Sequence, residues 1–120
     1  MMQKFRVWHK ELERLMSVQI MWLDEGEISE LELNDSLMNE SIPVYRDDVI
    51  LMQSTGLFDV NGKEIFEGDV VRMHSGELLP VKLHHGMFEP VCYYISNVYE
   101  GVGNVFENPE LLEHPDFREG

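Results

Sequence analysis

Histidine, cysteine and aspartate are the side chains through which this chain could carry chemistry. His74, His84 and His85 lie close together in the sequence, as zinc ligands often do. A zinc site needs three or four converging ligands, however, and Cys92 is the only thiol. Because neighbouring residues of a strand point to opposite faces, His84 and His85 should not share an ion. We therefore predict no metal site.

Asp69 is the carboxylate whose position in the sequence is most suggestive. It follows Glu67 and Gly68 at a predicted corner, directly before a strand-like run. A catalytic or metal-binding role would need a second acidic residue or a histidine at a suitable spacing, and the sequence has none there. The alternative is a carboxylate that accepts hydrogen bonds from backbone amides at the turn. We favour this capping role.

The sequence shows no local nucleophile motif and no phosphate-binding glycine loop, although its composition would allow a Ser/His/Asp triad. The apolar and aromatic neighbours of Cys92 favour a buried thiol over a reactive nucleophile. No local motif supports a Ser/His/Asp triad, and no glycine loop opens a helix to bind phosphate. We predict no catalytic, cofactor-binding or metal-binding residue, no cofactor, and a protein that is not an enzyme.

The stretch at residues 51–72, LMQSTGLFDVNGKEIFEGDVVR, must position the elements around it. Its dipeptide Asn61-Gly62 is typical of a two-residue hairpin turn. That register would place Asp59 opposite Glu64, and like charges that face each other destabilise a sheet. A three-residue loop ending at the glycine places Lys63 opposite Asp59 instead. We predict this loop, with a bulge and a positive φ at the glycine, which has no steric cost there.

The same stretch resembles the signature of the YopX-like family of small phage and prophage proteins. Two further segments agree with the family, KFRVW at residues 4–8 and GNVFENPELL at residues 103–112. The three segments occur in the family's order and span the chain. Ser54 and His9 depart from the pattern, because members often have an aromatic and an acidic residue there. The resemblance implies an SH3-like β-barrel, and it brings neither an established activity nor a catalytic residue.

Alternating apolar and polar residues predict a mainly β fold. Residues 4–23 are predicted to form a β-hairpin with a charged connection. The full prediction is an SH3-like β-barrel with an N-terminal β-hairpin extension and a short C-terminal helical turn. Asn108 would cap that turn and Pro109 would begin it. The boundaries are 1–44 for the hairpin and acidic arm, and 45–120 for the barrel, packed as one unit.

Large apolar side chains on the predicted strands should form the core. Pro80 lacks an amide donor, so its strand should begin there or lie at a sheet edge. The tail from His114 is expected to be loose. The predicted core residues are Trp8, Trp22, Leu57, Ile65, Phe66, Val71, Leu83 and Phe106.

The segment from residue 24 to residue 40 contains seven acidic residues and no basic one. Its apolar residues are too few to predict a robust core element, which leaves two alternatives. The segment could be a mobile acidic loop, or an arm that orders against a neighbouring subunit. Leu37 and Met38 are also among the apolar residues of this segment. The apolar groups that a small barrel would leave uncovered predict self-association; they are Met21, Trp22, Leu23, Ile28, Leu31 and Leu33.

The formal charge of −14 is the largest departure from average composition. Binding to nucleic acid requires lysines and arginines that displace counterions from phosphates, so we predict no direct DNA or RNA binding. Partners with basic surfaces are expected, although acidity can also serve only to keep a protein soluble. No apolar run approaches the ~20 residues of a membrane span, and no signal peptide is recognised. The expected location is the cytoplasm of a bacterial host.

Three functions remain open from the sequence. The first is a phage or prophage accessory protein that is a non-enzymatic protein-interaction module, a homo-oligomer that also contacts a host or phage protein. The alternative is an acidic mimic of nucleic acid that inhibits a host DNA-binding enzyme. A small enzyme is the third, and it would need a deep pocket with paired titratable groups.

Overall fold

The structure is a computed structural model, and it describes residues 4–35, 39–95 and 98–119. These residues are mainly β-strand and divide into two compact units, Met1–Gln53 and Ser54–Gly120. The strands are β1 (Phe5–His9), β2 (Arg14–Asp24), β3 (Glu27–Asp35), β4 (Glu40–Tyr45), β5 (Val49–Phe58), β6 (Glu64–Phe66), β7 (Asp69–Met73), β8 (Leu78–Pro80), β9 (Lys82–His84), β10 (Met87–Glu89) and β11 (Tyr99–Asn104). Short 3₁₀ helices span Arg46–Asp48, Val91–Tyr93 and Pro109–Glu113.

The first unit contains an antiparallel sheet in the order β4-β3-β2-β1-β5. Strands β1 and β2 pair directly, which confirms the hairpin predicted over residues 4–23. His9 closes the connection between them, since its Nδ1 accepts the Leu12 N–H at 3.1 Å. Its carbonyl accepts the Glu13 N–H at 2.8 Å. The chain therefore turns back within four residues.

Strand β3 replaces the loop or arm that was expected in the acidic segment. It pairs with β2 on one side and with β4 on the other, so both alternatives from the sequence are wrong for residues 27–35. The physical reason is a period of two that the many charges obscure. Leu31 and Leu33 are fully buried while Glu30 faces outward, the pattern of a half-buried strand. Leu37 and Met38 lie outside the described residues.

The core of the first unit lies on one face of this sheet. Side chains alternate along a regular strand, so every second residue faces the core, except where the β2–β3 register shifts interrupt this period. Burial of such side chains stabilises a fold by about 25 cal/mol per Å² of apolar area. The buried members are Val7, Met16, Leu31, Leu33, Val44 and Val49, with Val18, Met21, Ile28, Ile42 and Leu51 packed against them.

The second unit is built from open sheets. Strands β7, β8 and β11 pair in the order β11-β7-β8, β9 pairs with β10, and the end of β5 pairs with β6. Among the described residues these pairings do not close into the SH3-like barrel that the resemblance implies. The edge strand β8 ends at Pro80, which confirms the edge position of this residue. A second buried cluster includes Ile65, Val71, Met73, Val81, Val91 and Tyr99.

The loop between β5 and β6 has the predicted three-residue form. Phe58 is opposite Glu64, so Asp59 and Lys63 flank the loop, and Gly62 has φ of +79°. The Asp59 N–H donates to the Lys63 carbonyl at 2.9 Å, which closes the ladder. The register shifts between Phe58 and Ser54. Leu57 and Ile65, which would face each other in a regular ladder, therefore lie in the irregular part of the pairing.

The C-terminal tail pairs with β8 and is not loose as expected. The Leu78 N–H donates to the Asp116 carbonyl, and the Arg118 N–H donates to the Leu78 carbonyl, each at 2.9 Å. The tail thus forms hydrogen bonds with both the N–H and the carbonyl of Leu78. Asn108 precedes the 3₁₀ helix without a capping side-chain bond, contrary to its predicted role; its Oδ1 accepts the Asn104 N–H instead.

Six of the eight predicted core residues are buried or partly buried, and the prediction is wrong for the other two. Ile65 and Val71 are fully buried, and Trp22 and Leu83 are 44% and 45% exposed. Trp22 is wrong because it lies on the outward face of β2, opposite Glu30. Leu83 lies in the two-stranded β9–β10 hairpin, one of whose strands is exposed throughout. The others are partly buried, namely Trp8, Leu57, Phe66 and Phe106.

Candidate functional site

The outward face of strands β2, β3 and β4 presents two aromatic side chains and a carboxylate in one row. Trp22 lies opposite Glu30 across the β2–β3 ladder, and Glu30 lies opposite Tyr45 across the β3–β4 ladder. Directly opposite side chains have Cβ atoms about 4.5–5.5 Å apart. Tyr45 is 67% exposed. We call Trp22, Glu30 and Tyr45 the aromatic–acidic row.

A second row follows on the same face. Ile20 lies opposite Glu32, and Glu32 lies opposite Pro43. Ile20 is exposed, and the Ser41 hydroxyl donates a hydrogen bond to Glu32 Oε1. The face therefore combines apolar side chains on its two flanking strands with carboxylates on the middle strand.

The reverse side of these strands fixes the row in place. Leu31 and Val44 lie opposite each other and are buried, so Glu30 and Tyr45 must point away from the core. At the end of β3, the buried Asp35 carboxylate receives two hydrogen bonds from Arg14, at 2.8 and 3.2 Å. This paired contact ties β3 to the start of β2.

The second unit contains a groove of about 450 Å³. Its walls include Leu83 and Pro90, and its polar groups include a hydrogen-bonded trio. The Tyr93 hydroxyl donates to Glu89 Oε2 at 2.6 Å, and His84 Nδ1 lies 3.2 Å from Glu89 Oε1. The hydrogen bond from Tyr93, and then the charge of His84, hold the pKa of Glu89 below its ordinary value. The same bond raises the pKa of Tyr93.

The histidines do not assemble a metal site in the described part of the chain. The rings of His84 and His85 stack with centroids 4.0 Å apart, although we expected neighbours in a strand to diverge. The expectation fails because His85 lies in the turn with φ of +52°, outside the strand. No three His, Cys, Asp or Glu side chains converge on one ion within residues 4–35, 39–95 and 98–119. His74 lines a different pocket.

Asp69 is a structural carboxylate, as predicted. It is buried, and its Oδ2 accepts the Phe66 N–H at 2.8 Å across a corner at which Gly68 has φ of +91°. Cys92 lies in a 3₁₀ helix and is half-buried, so it is less covered than we predicted.

Asp59 is a buried carboxylate. From the sequence, only its charge was used, to choose the loop register, and its contacts were not predicted. Its Oδ1 accepts the N–H groups of Asn61 and Lys63, and its Oδ2 accepts the N–H of Gly101 at 2.8 Å. Burial opposes ionisation, but these amides and the nearby Lys63 charge together hold the pKa of Asp59 below its ordinary value. Burial, followed by the Asp59 charge, raises the pKa of Tyr99. The arrangement orders the hairpin loop and the last strand.

These features define a mainly β protein with two compact units and an exposed aromatic and acidic sheet face. The chain belongs to the YopX family, because the model of that family, described as YopX protein, matches residues 4–113. None of the curated proteins matches the chain. None of the helices in the described part of the chain is long and apolar enough to cross a membrane.

Two solved structures resemble the chain over nearly its whole length. Protein EF1440 from Enterococcus faecalis is 25% identical, with a TM-score of 0.68, and the match covers 93% of this chain and 99% of that one. Protein yopX from Bacillus subtilis is 21% identical, with a TM-score of 0.54, and the match covers 91% and 97%. The second likeness concerns the fold alone.

Proposed function

We propose that this chain is a non-enzymatic protein-interaction module that uses the outward face of β2, β3 and β4. The observation that carries the proposal is the exposure of Trp22 and Tyr45 on a sheet whose other face is packed. Exposed aromatic residues grouped on one rigid face are typical of protein contacts, since they bury a large area at little cost in conformational entropy. The resemblance to phage and prophage proteins supports an accessory role in the cytoplasm of a bacterial host.

The proposal is tested by chemical cross-linking of the tagged chain in its bacterial host, followed by mass spectrometry. We expect cross-linked partner peptides to map near residues 20–32 and 41–45. A double variant, Trp22→Ala with Tyr45→Ala, should lose the partner, whereas Tyr94→Ala removes an exposed tyrosine elsewhere and should retain it. Equal capture by the wild type and the double variant would overturn the proposal.

We also propose that the chain associates with further copies of itself. The apolar residues available for this contact differ from those expected from the sequence. Leu31 and Leu33 are buried within their own unit, so they do not need a second subunit. Ile20 and Trp22 remain exposed on the outward face, and Leu23 is exposed to 65% at the end of the same strand. Acidic repulsion between copies is screened by salt, so any self-association should strengthen as salt is raised. Sedimentation at low and high salt tests this, and a monomer in both would remove the homo-oligomer.

A mimic of nucleic acid is the second candidate, supported by the outward carboxylates of Glu30 and Glu32 on one strand. Such a mimic would occupy a basic cleft of a host DNA-binding enzyme and exclude DNA from it. Competition between the chain and a DNA duplex for the captured partner separates the two candidates. Displacement of DNA would support the mimic, and simultaneous binding of chain and DNA would contradict it.

A further inference from the structure

The aromatic–acidic row has the composition of a site for a cation. Glu30 is the direct cross-strand neighbour of both Trp22 and Tyr45, so a negative charge lies between two aromatic rings. The faces of such rings attract cations within about 6 Å of the ring centre. We infer that the row receives an arginine or lysine side chain of a partner protein. This inference rests on the proposed function and adds the chemistry of the partner.

The electrostatics of the first unit favour a positive occupant. Seven acidic residues and no basic one lie between residues 24 and 40. Of the basic residues nearest in sequence to this segment, Arg14 pairs with Asp35, and Arg46 donates to the Val49 carbonyl at 3.2 Å. Glu30 is exposed, so the row presents this carboxylate to solvent.

Other binding partners would complement the charge and the aromatic rings of the row less well. A second copy would bring the carboxylates of Glu30 and Glu32 against their own kind, a repulsion that is reduced only where salt screens it, and a nucleic acid would add phosphate charge. A wholly apolar partner would bury these carboxylates without a counter-charge, which is costly. A guanidinium suits all three side chains of the row, because it stacks on aromatic rings and binds a carboxylate with two parallel hydrogen bonds.

The test is a titration of the whole chain with a fluorescently labelled oligo-arginine peptide, followed by fluorescence anisotropy. Oligo-lysine and oligo-glutamate peptides of equal length are measured in parallel. We expect saturable binding that is tighter for arginine than for lysine and is not seen with glutamate. No saturable binding of oligo-arginine at low ionic strength would overturn the inference.

Variants separate recognition by the row from attraction by net charge. Trp22→Leu and Tyr45→Leu should each weaken binding about two- to fivefold, because both remove a ring and leave the charge unchanged. Glu30→Gln should weaken binding more than Glu25→Gln, which removes the same charge from an exposed turn of the same segment. Equal losses for the two glutamates, with no effect of the two leucine substitutions, would show attraction by net charge alone and overturn the inference.

Tyr45 is two-thirds exposed, so Tyr45→Leu should fold normally and remains informative if Trp22→Leu is unstable.

Two outcomes distinguish this inference from the proposed function. Cross-linking of a partner to the outward face without binding of oligo-arginine would contradict the inference alone. Binding of oligo-arginine at the row without any cross-linked partner would contradict the proposed function alone.

Discussion

The carboxylate of Asp59 accepts the backbone N–H of Gly101 at 2.8 Å, which joins the β5–β6 loop to the last strand. The approach is close, because a Cβ on Gly101 would lie 3.1 Å from Cδ1 of Ile65 and would require that side chain to shift. Tyr99 strengthens the same junction, since its hydroxyl donates to the Phe58 carbonyl at 3.0 Å. One carboxylate thus connects segments that are far apart in the sequence.

Replacement of Asp59 by asparagine should destabilise the protein by about 1–3 kcal/mol. An asparagine can still accept the two loop amides through one oxygen, but its NH₂ group would face the Gly101 N–H. Two donors would then meet in a buried position. Denaturant unfolding at neutral pH measures the loss, with Glu113→Gln, an exposed carboxylate, as the control. Unchanged stability of Asp59→Asn would contradict this role.

The same carboxylate should make stability depend on pH. Because the folded pKa of Asp59 is lowered, its contribution is complete above the ordinary value of 3.8 and is lost as pH falls through the folded pKa. The wild type should therefore lose more stability than Asp59→Asn as the solution is acidified below about pH 4. Parallel unfolding curves of the two proteins over that range would show that Asp59 is not the responsible group.

Gly62→Ala should destabilise the protein by about 1 kcal/mol, because alanine is strained at positive φ. The space around the position is open, because no heavy atom beyond the adjacent residues lies within 4 Å of an added Cβ, so the cost is conformational. Gly62→Asn should cost less, since asparagine adopts this region more readily. Thermal unfolding of the two variants checks the order. A more stable alanine variant would contradict the loop geometry.

Arg14→Gln should destabilise the protein by roughly 2 kcal/mol, because it removes both hydrogen bonds to the buried Asp35 carboxylate. Arg14→Lys should restore part of the loss, since an ammonium cannot match the two-point contact. Asp116→Asn is the matched control, because it breaks a half-exposed pair with Arg72 and should cost much less. Urea unfolding compares the three, and equal losses at the two pairs would contradict the assigned burial.

Leu31→Ala should destabilise the protein by about 2–5 kcal/mol, the range for fully buried leucines. Leu23→Ala, in the preceding strand, should change stability by less than about 0.5 kcal/mol because this side chain is exposed. The pair tests whether the acidic segment is a core strand. Similar small effects at both positions would mean that β3 does not pack as described.

Short-range signals in the sequence predicted the local structure well. The hairpin over residues 4–23, the loop at Gly62 and the capping of the corner by Asp69 each depend on neighbours within a few positions. Charge repulsion between Asp59 and Glu64 was enough to choose the correct loop. These features follow from local turn chemistry and do not depend on contacts distant in sequence.

The longer-range features could not be predicted in this way. The contact of Asp59 with Gly101 spans 42 positions and has no local signal. The outward direction of Trp22 depends on the register of β2 against β3, which shifts beside it. The strand at Leu31 was hidden because its carboxylates dominate the composition, although its alternation was present. The candidate face was therefore seen in the sequence only as an acidic segment with apolar residues.

The central claim is that a partner protein binds the outward face of β2, β3 and β4. The most direct measurement is hydrogen–deuterium exchange of the chain with and without the cross-linked partner, purified as a complex. We predict that the partner slows exchange at residues 20–32 and 41–45 and leaves the groove around Glu89 unchanged. Slower exchange confined to the groove, with no change in β2, β3 and β4, would contradict the account.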